Sequence, residues 1–406
     1  MKRWPVTAKL MSPVAIKSNR QSDRSDSIRS ITGTQVRGAL ANLYLQQHGE
    51  VDDIFMALFL DEDSCRYGPL DPGPATFPLT AASCKRAGMQ HTLKDRLWFR
   101  IGQHHKPELD LRNKGRLWLR CSKCGADLKD HAGFGTWQEG NLCEAVEESR
   151  QVAAHVGIDR HTATAAEGVF YTLEAMMPSA RDADLYGWVL ADDESMRALK
   201  DLLQEEDHRI SVGHHRTRGY GDMLLQVAED DDSEPHVEGW EQWSRNLIQF
   251  LGSPPFSLTE PNAADQFWFS LSFPAGAVLT DRFLRYSLDP ADMISWLPPM
   301  SPMEHAFPVH QRPLRHWDSG GSVGWMAAVT HHELLRGWNA AHGLPRQDEW
   351  MVARGAVYVY CFHGTAEQRK PLTERLVELA RNGIGLRRNE GFGMTIVSDE
   401  FHARYH

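Results

Sequence analysis

Apolar positions alternate loosely from residue 5 to residue 16 and predict a first strand, with Pro13 near its end. From Lys17 to Gly33 the chain is polar and basic, with Ser and Asp throughout, which predicts a loop. Val36, Leu40, Leu43 and Tyr44 then recur at helical spacing, with Thr34 placed to cap the helix. The pattern breaks over 62–145, where Pro and Gly crowd from Gly68 to Pro78 and a basic, cysteine-bearing stretch follows. This segment reads as an insertion. Two strands, Gly168–Met177 and Leu185–Ala191, come next, and then a helix over Ser195–Glu206 with Met196, Leu199, Leu202 and Leu203 facing inward. A glycine-rich loop leads into a strand at Met223–Val227.

The second half repeats this order. After an acidic linker from Glu229 to Glu238, Trp240, Trp243, Leu247 and Phe250 predict one helical face, ended by Pro254-Pro255. Phe267–Phe273 alternates as a strand, and Gly355–Phe362 is a continuous apolar run of the buried-strand type. Leu372–Arg381 predicts a helix with Asn382-Gly383 as its C-cap. A second glycine-rich loop and a strand at Met394–Val397 close the chain, while 275–350 shows no assignable pattern. The expected domains are 1–228, carrying the insertion, then a linker and helix over 229–262, then 263–406. Each half reads as α+β: helices on an antiparallel sheet of the split β-α-β, ferredoxin-like kind, a surface that serves in RNA recognition.

The two glycine loops align without a gap. Val212-Gly213-His214-His215-Arg216-Thr217-Arg218-Gly219-Tyr220-Gly221 and Ile384-Gly385-Leu386-Arg387-Arg388-Asn389-Glu390-Gly391-Phe392-Gly393 lie 172 residues apart. Both read [Val/Ile]-Gly-x-x-Arg-x-x-Gly-aromatic-Gly. A period this long points to a duplicated domain, since solenoid repeats run about 20–50 residues. Glycines let the backbone turn back on itself and approach a ligand, and successive N–H groups in such a turn can cradle an anion. Arginines inside it favour phosphate. The glycines precede a strand, whereas a dinucleotide site needs them after a strand and opening a helix. No G-x-x-x-x-G-K-[S/T], G-x-S-x-G or H-E-x-x-H motif is present.

The net charge of −10 argues against non-specific coating of nucleic acid. Charge is uneven, however: residues 1–38 carry eight Lys/Arg against two Asp, and 81–131 carry twelve Lys/Arg against five Asp/Glu. Local basic patches on an acidic chain suit a specific nucleic-acid path. Lys17, Arg20 and Arg37 with Arg216, Arg218, Arg387 and Arg388 are the candidate phosphate contacts. Arg37 stands near an expected helix N-terminus, where backbone donors favour phosphate. His155, Arg160 and Tyr220 are candidates for base or backbone contact. No apolar run approaches the ~18 residues of a membrane span and no signal-peptide core follows Met1, so the expected location is cytoplasmic.

In that setting cysteines point to metal more than to disulfides. Cys121-Ser122-Lys123-Cys124-Gly125 is a C-x-x-C-G knuckle. Tetrahedral zinc takes four N/S ligands; Cys84 supplies a third, and His91 or Cys143 the fourth, with His91 preferred. Such a site is closed and structural. Cys65 and Cys361 read as unpaired. A competing reading as a metal-dependent endoribonuclease rests on Asp23 and Asp26, which could hold a catalytic metal, although Arg20, Arg24 and Arg29 lie among them.

Several stretches resemble the RAMP subunit of type III-D CRISPR effector complexes: Ser12–Asp23, Ile31-Thr32-Gly33 with Val36-Arg37-Gly38-Ala39-Leu40, Thr80–Arg86 with His91, the cysteine knuckle, His155–Arg160 and Glu167–Glu174, besides the paired glycine loops. The resemblance spans most of 6–225 and returns at 384–397. It implies a subunit that binds CRISPR RNA at its repeat-derived 5′ tag, beside a large signalling subunit, backbone RAMP subunits and target RNA, with no membrane. It also implies a non-catalytic role, target cleavage belonging to an aspartate loop of the backbone subunits. Asp23 and Asp26 lie in a comparable loop and carry the alternative of cleaving target RNA or precursor CRISPR RNA.

Overall fold

The computed structural model describes all residues except 17–23, 26–29, 106–119, 146–148, 230–234, 258–264, 282, 294–296, 298–314, 317–320 and 340–341. The chain forms two compact units. The first comprises 1–75, 134–233 and 387–391, and the second 76–133, 234–386 and 392–406. Residues 76–133, within the stretch expected as an insertion, are thus part of the second unit.

In the first unit, β1 (Lys2–Leu10) is central in a five-stranded antiparallel sheet. Its partners are β2 (Cys65–Tyr67), β3 (Leu185–Ala191), β4 (Arg209–Ser211) and β5 (Asp222–Val227), in the order β4-β5-β1-β3-β2. Alternation drives Val6, Ala8 and Leu10 into the core, where they meet Leu40 and Tyr44 of helix α1 (Gly33–His48) and Leu199 and Leu203 of helix α2 (Asp193–Glu205). Burying each large apolar side chain contributes about 1.5–3 kcal/mol. The cap of α1 is Thr32, not Thr34, because Gln35 reaches back to accept the Thr32 N–H at 3.0 Å. Strand β1 runs from residue 2 to residue 10, shorter at its far end than the 5–16 pattern suggested.

The second unit repeats the plan. Strands β6 (Gln266–Phe273), β7 (Ser322–Val329), β8 (Ala356–His363) and β9 (Ile396–Val397) lie in the order β7-β8-β6-β9, with Arg315–His316 at the β7 edge. In both units the strands, numbered by chain order, therefore run fourth-first-third-second across the sheet, leaving aside the outermost β4 and Arg315–His316. All of β6 is buried, because both faces of its sheet are covered. Phe267, Phe269, Leu271 and Phe273 face Leu372, Leu376 and Leu379 of α4 (Ala366–Asn382). On the other side, Trp268 packs with Trp243 and Leu247 of α3 (Val237–Gly252) and with Trp98 of the helix Leu97–His105. Helix α4 starts at Thr365, whose capping box with Gln368 begins the helix well before the apolar spacing at Leu372. Among the described residues no helix is long and apolar enough to cross a membrane.

The last short helix, Glu400–Arg404, is pinned by a buried network in the second unit. His402 Nδ1 lies 2.9 Å from Asp95 Oδ2, and its Nε2 lies 3.3 Å from Ser272 Oγ. Burial pushes the His402 pKa down, but the charge and hydrogen bond of Asp95 and the charge of Asp399 outweigh it and hold the value above the ordinary one. Stability from a raised histidine is complete below its unfolded value, about 6.5, and is lost as pH rises through the folded value. We expect the thermal midpoint of the second unit to fall as pH rises above about 6.5. Calorimetry across pH checks this. His402→Leu should flatten that dependence and cost about 3–5 kcal/mol, because the Asp95 carboxylate is left buried and unpaired.

Candidate functional site

Two sites emerge from the residues singled out by the sequence. The first is in the second unit. Cys84 ends the strand Ala81–Cys84, and His91 lies on the neighbouring strand Gly88–Asp95. Cys121 and Cys124 sit on a turn that closes through Gly125 N–H to Cys121 O at 2.9 Å, with Gly125 at φ 66. The four ligand atoms lie within 4.8 Å of one another. Cys84 Sγ is 3.5 Å from Cys124 Sγ and 3.8 Å from His91 Nδ1. A tetrahedral ion with bonds of about 2.0–2.3 Å has ligand-to-ligand edges of about 3.3–3.8 Å, so these residues can hold a metal ion. Cys143, on the strand Asn141–Glu144, is not in the group.

At Cys121 the setting favours thiolate, the form that binds metal, while at Cys124 a backbone hydrogen bond from Ala126 is outweighed by burial and by the neighbouring Cys121 and Cys84 side chains, which push that thiol up. Burial pushes the Cys121 thiol up, but hydrogen bonds from the Thr92 hydroxyl and from the backbone N–H groups of Cys124 and Lys123 outweigh it and bring the pKa down to about 6. Thr92 Oγ1 is 3.3 Å from Cys121 Sγ. Its part was not foreseen, although its place beside His91 was a signal. None of the six cysteines, all among the described residues, forms a disulfide, and Cys65 and Cys361 are buried.

The second site is the pair of glycine turns. They share a backbone: Gly213, His215, Gly219 and Gly221 have φ of 79, 61, 84 and 93, and Gly385, Arg387, Gly391 and Gly393 have 84, 59, 86 and 76. Each encloses one short 3-10 turn, Arg216–Arg218 or Arg388–Glu390. Each is pinched shut by Val212 N–H to Gly221 O at 2.9 Å or Ile384 N–H to Gly393 O at 2.8 Å. A Cβ on Gly221 would stand 2.1 Å from Val212 O, and one on Gly393 1.7 Å from Ile384 O, so no other residue fits either place.

Their surroundings differ. Around Gly219 a Cβ would meet nothing within 4 Å, and His214, Arg216, Thr217 and Arg218 are exposed. Residues 387–391 belong to the first unit, where a Cβ on Gly391 would lie 2.5 Å from Tyr67 O. Glu390 is buried there. Its carboxylate accepts from Arg37 Nη2 and Thr34 Oγ1, each at 2.7 Å, and lies 3.5 Å from Arg387 Nη1. Arg388 pairs with Glu62 at 3.2 Å. Three of the arginines expected on phosphate, Arg37, Arg387 and Arg388, are thus held by carboxylates.

The first turn lies by a hairpin, Arg150–Ile158 paired with Ala165–Met176. The first of these strands was missed because its apolar residues face solvent: Val152, Val156 and Ile158 are exposed, as is Phe170 opposite Val156. His155 pairs with Tyr171, which stacks on it with ring centroids 5.2 Å apart. Tyr171 also stacks on His215, and its hydroxyl accepts from Arg218 Nη1 at 2.7 Å. Arg160 is exposed at the hairpin tip. Lys17, Arg20, Asp23 and Asp26 lie outside the described residues.

The sequence model of the RAMP superfamily matches residues 7–223, more than half of the chain and ending just past the first glycine turn. The chain belongs to the RAMP superfamily. No curated protein matches this RAMP chain in sequence. Among solved structures it is similar to a chain of a type III-B Cmr-beta complex bound to cognate target RNA and AMPPnP, at 11% identity and a TM-score of 0.41, over 87% of this chain and 86% of that one. It is also similar to a chain of a Csm3–Csm4 subcomplex of a type III-A CRISPR-Cas interference complex, at 10% identity and a TM-score of 0.33, over 90% and 94%. A third likeness is to oligomeric Cmr4 from Pyrococcus furiosus, at 13% identity and a TM-score of 0.24, over 57% and 100%.

Two outcomes follow from the geometry. The purified chain should carry about one equivalent of metal; elemental analysis should find it lost in Cys121→Ser and kept in Cys143→Ser. Glu390→Ala leaves Arg37 without its buried partner and should lower the first unit's stability by about 3–5 kcal/mol in chemical denaturation.

Proposed function

We propose that this RAMP chain is a non-catalytic, RNA-binding subunit of a type III-D CRISPR ribonucleoprotein and holds the repeat-derived 5′ tag of the CRISPR RNA. The reading rests on one observation: the first glycine turn presents Arg216 and Arg218 in the open, on a backbone with four left-handed positions. Family membership supplies the context, as does the strand order of each sheet, which suits a ferredoxin-like domain. Phosphates would lie along Arg216 and Arg218, with Arg160, His155 and Tyr220 alongside, and Lys17 and Arg20 are further candidate contacts named from the sequence. The second turn keeps the same shape as a structural device, its arginines held by Glu62 and Glu390. We assign the metal as zinc, since three thiols and an imidazole form a closed donor set that suits it. It would tie together the short strands Ala81–Cys84 and Gly88–Asp95 and the Cys121–Cys124 turn. The partners in this reading are CRISPR RNA, target RNA, the large signalling subunit and backbone RAMP subunits.

The test compares the two turns. Arg216→Ala with Arg218→Ala should weaken binding of tagged RNA irrespective of guide sequence, and should reduce the slope of log affinity on log salt by about one unit per lost contact. Arg387→Ala with Arg388→Ala should leave both nearly unchanged. Equal losses from the two pairs, or none from the first, would refute the assignment.

A further inference from the structure

The rings beside the first turn form an ordered series. His155 and Tyr171 stack at 5.2 Å with 16° between planes, and Tyr171 and His215 at 6.4 Å with 11°. Tyr220 meets His215 edge-on at 6.2 Å. The series crosses two elements: His155 and Tyr171 are opposite each other in the hairpin, while His215 is the left-handed residue of the turn at φ 61. That backbone conformation is uncommon outside glycine, and here it sets the imidazole nearly parallel to the Tyr171 ring, with centroids 6.4 Å apart. Arg218 Nη1, bonded to the Tyr171 hydroxyl at 2.7 Å, fixes a cation at the ring edge. His155 Nε2 is buried and has no hydrogen-bond partner among the described residues.

A set of near-parallel, half-exposed rings bordered by exposed Arg216 and Arg218 has the two components that bind single strands: flat faces for bases and cations for the backbone. Bases within a duplex already stack on each other and have no face to offer. We infer that the His155–Tyr171–His215 series is a stacking platform for unpaired nucleobases, which makes the first turn selective for single-stranded RNA over duplex RNA. This rests on the RNA-binding reading and adds the form of RNA recognised. The arginines supply affinity for any RNA backbone, and the rings supply the preference for an unstacked base.

The experiment uses the full chain, a short single-stranded RNA carrying 2-aminopurine, and the same strand annealed to its complement. Wild type should bind the single strand more tightly and quench its fluorescence, as stacking requires. Tyr171→Ala should weaken single-strand binding about tenfold and abolish the quench while changing duplex binding little. Tyr171→Phe keeps the ring without the Arg218 bond and should preserve the quench, which guards against misfolding as the cause. If Tyr171→Ala lowers both affinities alike, or the quench survives it, the platform is refuted and RNA binding stands. If wild type binds neither RNA, the RNA-binding reading fails and the platform with it.

Discussion

A carbonyl oxygen stands where a side chain would have to go at the last glycine of each turn. Val212 O and Ile384 O lie 2.1 and 1.7 Å from the ideal Cβ positions of Gly221 and Gly393. The closure also anchors the turn to the segment leaving the first strand of its sheet. Gly221 N–H donates to Pro13 O and His214 N–H to Ala15 O, just as Gly393 N–H donates to Gly276 O and Leu386 N–H to Val278 O. An obligatory backbone geometry thus ties the final strand of each sheet to its first. The first strand of each sheet runs through the apolar core of its unit, so the turn is part of the fold.

This explains what the sequence revealed and what it hid. The turns were legible because backbone geometry of this kind admits only glycine, and glycine at fixed offsets is visible without any neighbour. The cluster able to hold a metal ion was legible for a similar reason: thiols and imidazole at knuckle spacing have few alternative uses. Helices with one inward face, such as α2, announced themselves through Met196, Leu199, Leu202 and Leu203. The strand Arg150–Ile158 did not, because its apolar residues point into solvent and its inward face carries His155. Alternation tells that two faces differ and does not tell which one is covered. Partners remote in sequence were also hidden. Nothing near Glu390 indicates that Arg37, 353 positions away, takes its charge.

The same limit applies to arginines. Read singly, Arg37, Arg387 and Arg388 are as plausible on phosphate as Arg216 and Arg218. The difference is in where the carboxylates sit. Glu390 is buried in the first unit and Glu62 stands beside Arg388, and a guanidinium already paired with a carboxylate must break that pairing before it can bind phosphate.

One position of the repeat concentrates this contrast. Arg218 and Glu390 occupy the same place in the two turns, 172 residues apart, on backbones with matching left-handed positions. In the first turn the side chain is an exposed cation bonded to Tyr171; in the second it is a buried anion bonded to Arg37 and Thr34. At the second turn the carboxylate and the guanidiniums of Arg37 and Arg387 neutralise one another, while the Arg218 guanidinium is bonded to a neutral hydroxyl and keeps its charge. Shape is therefore common to the two turns, and the sign of one side chain separates an exposed cation from a buried ion pair.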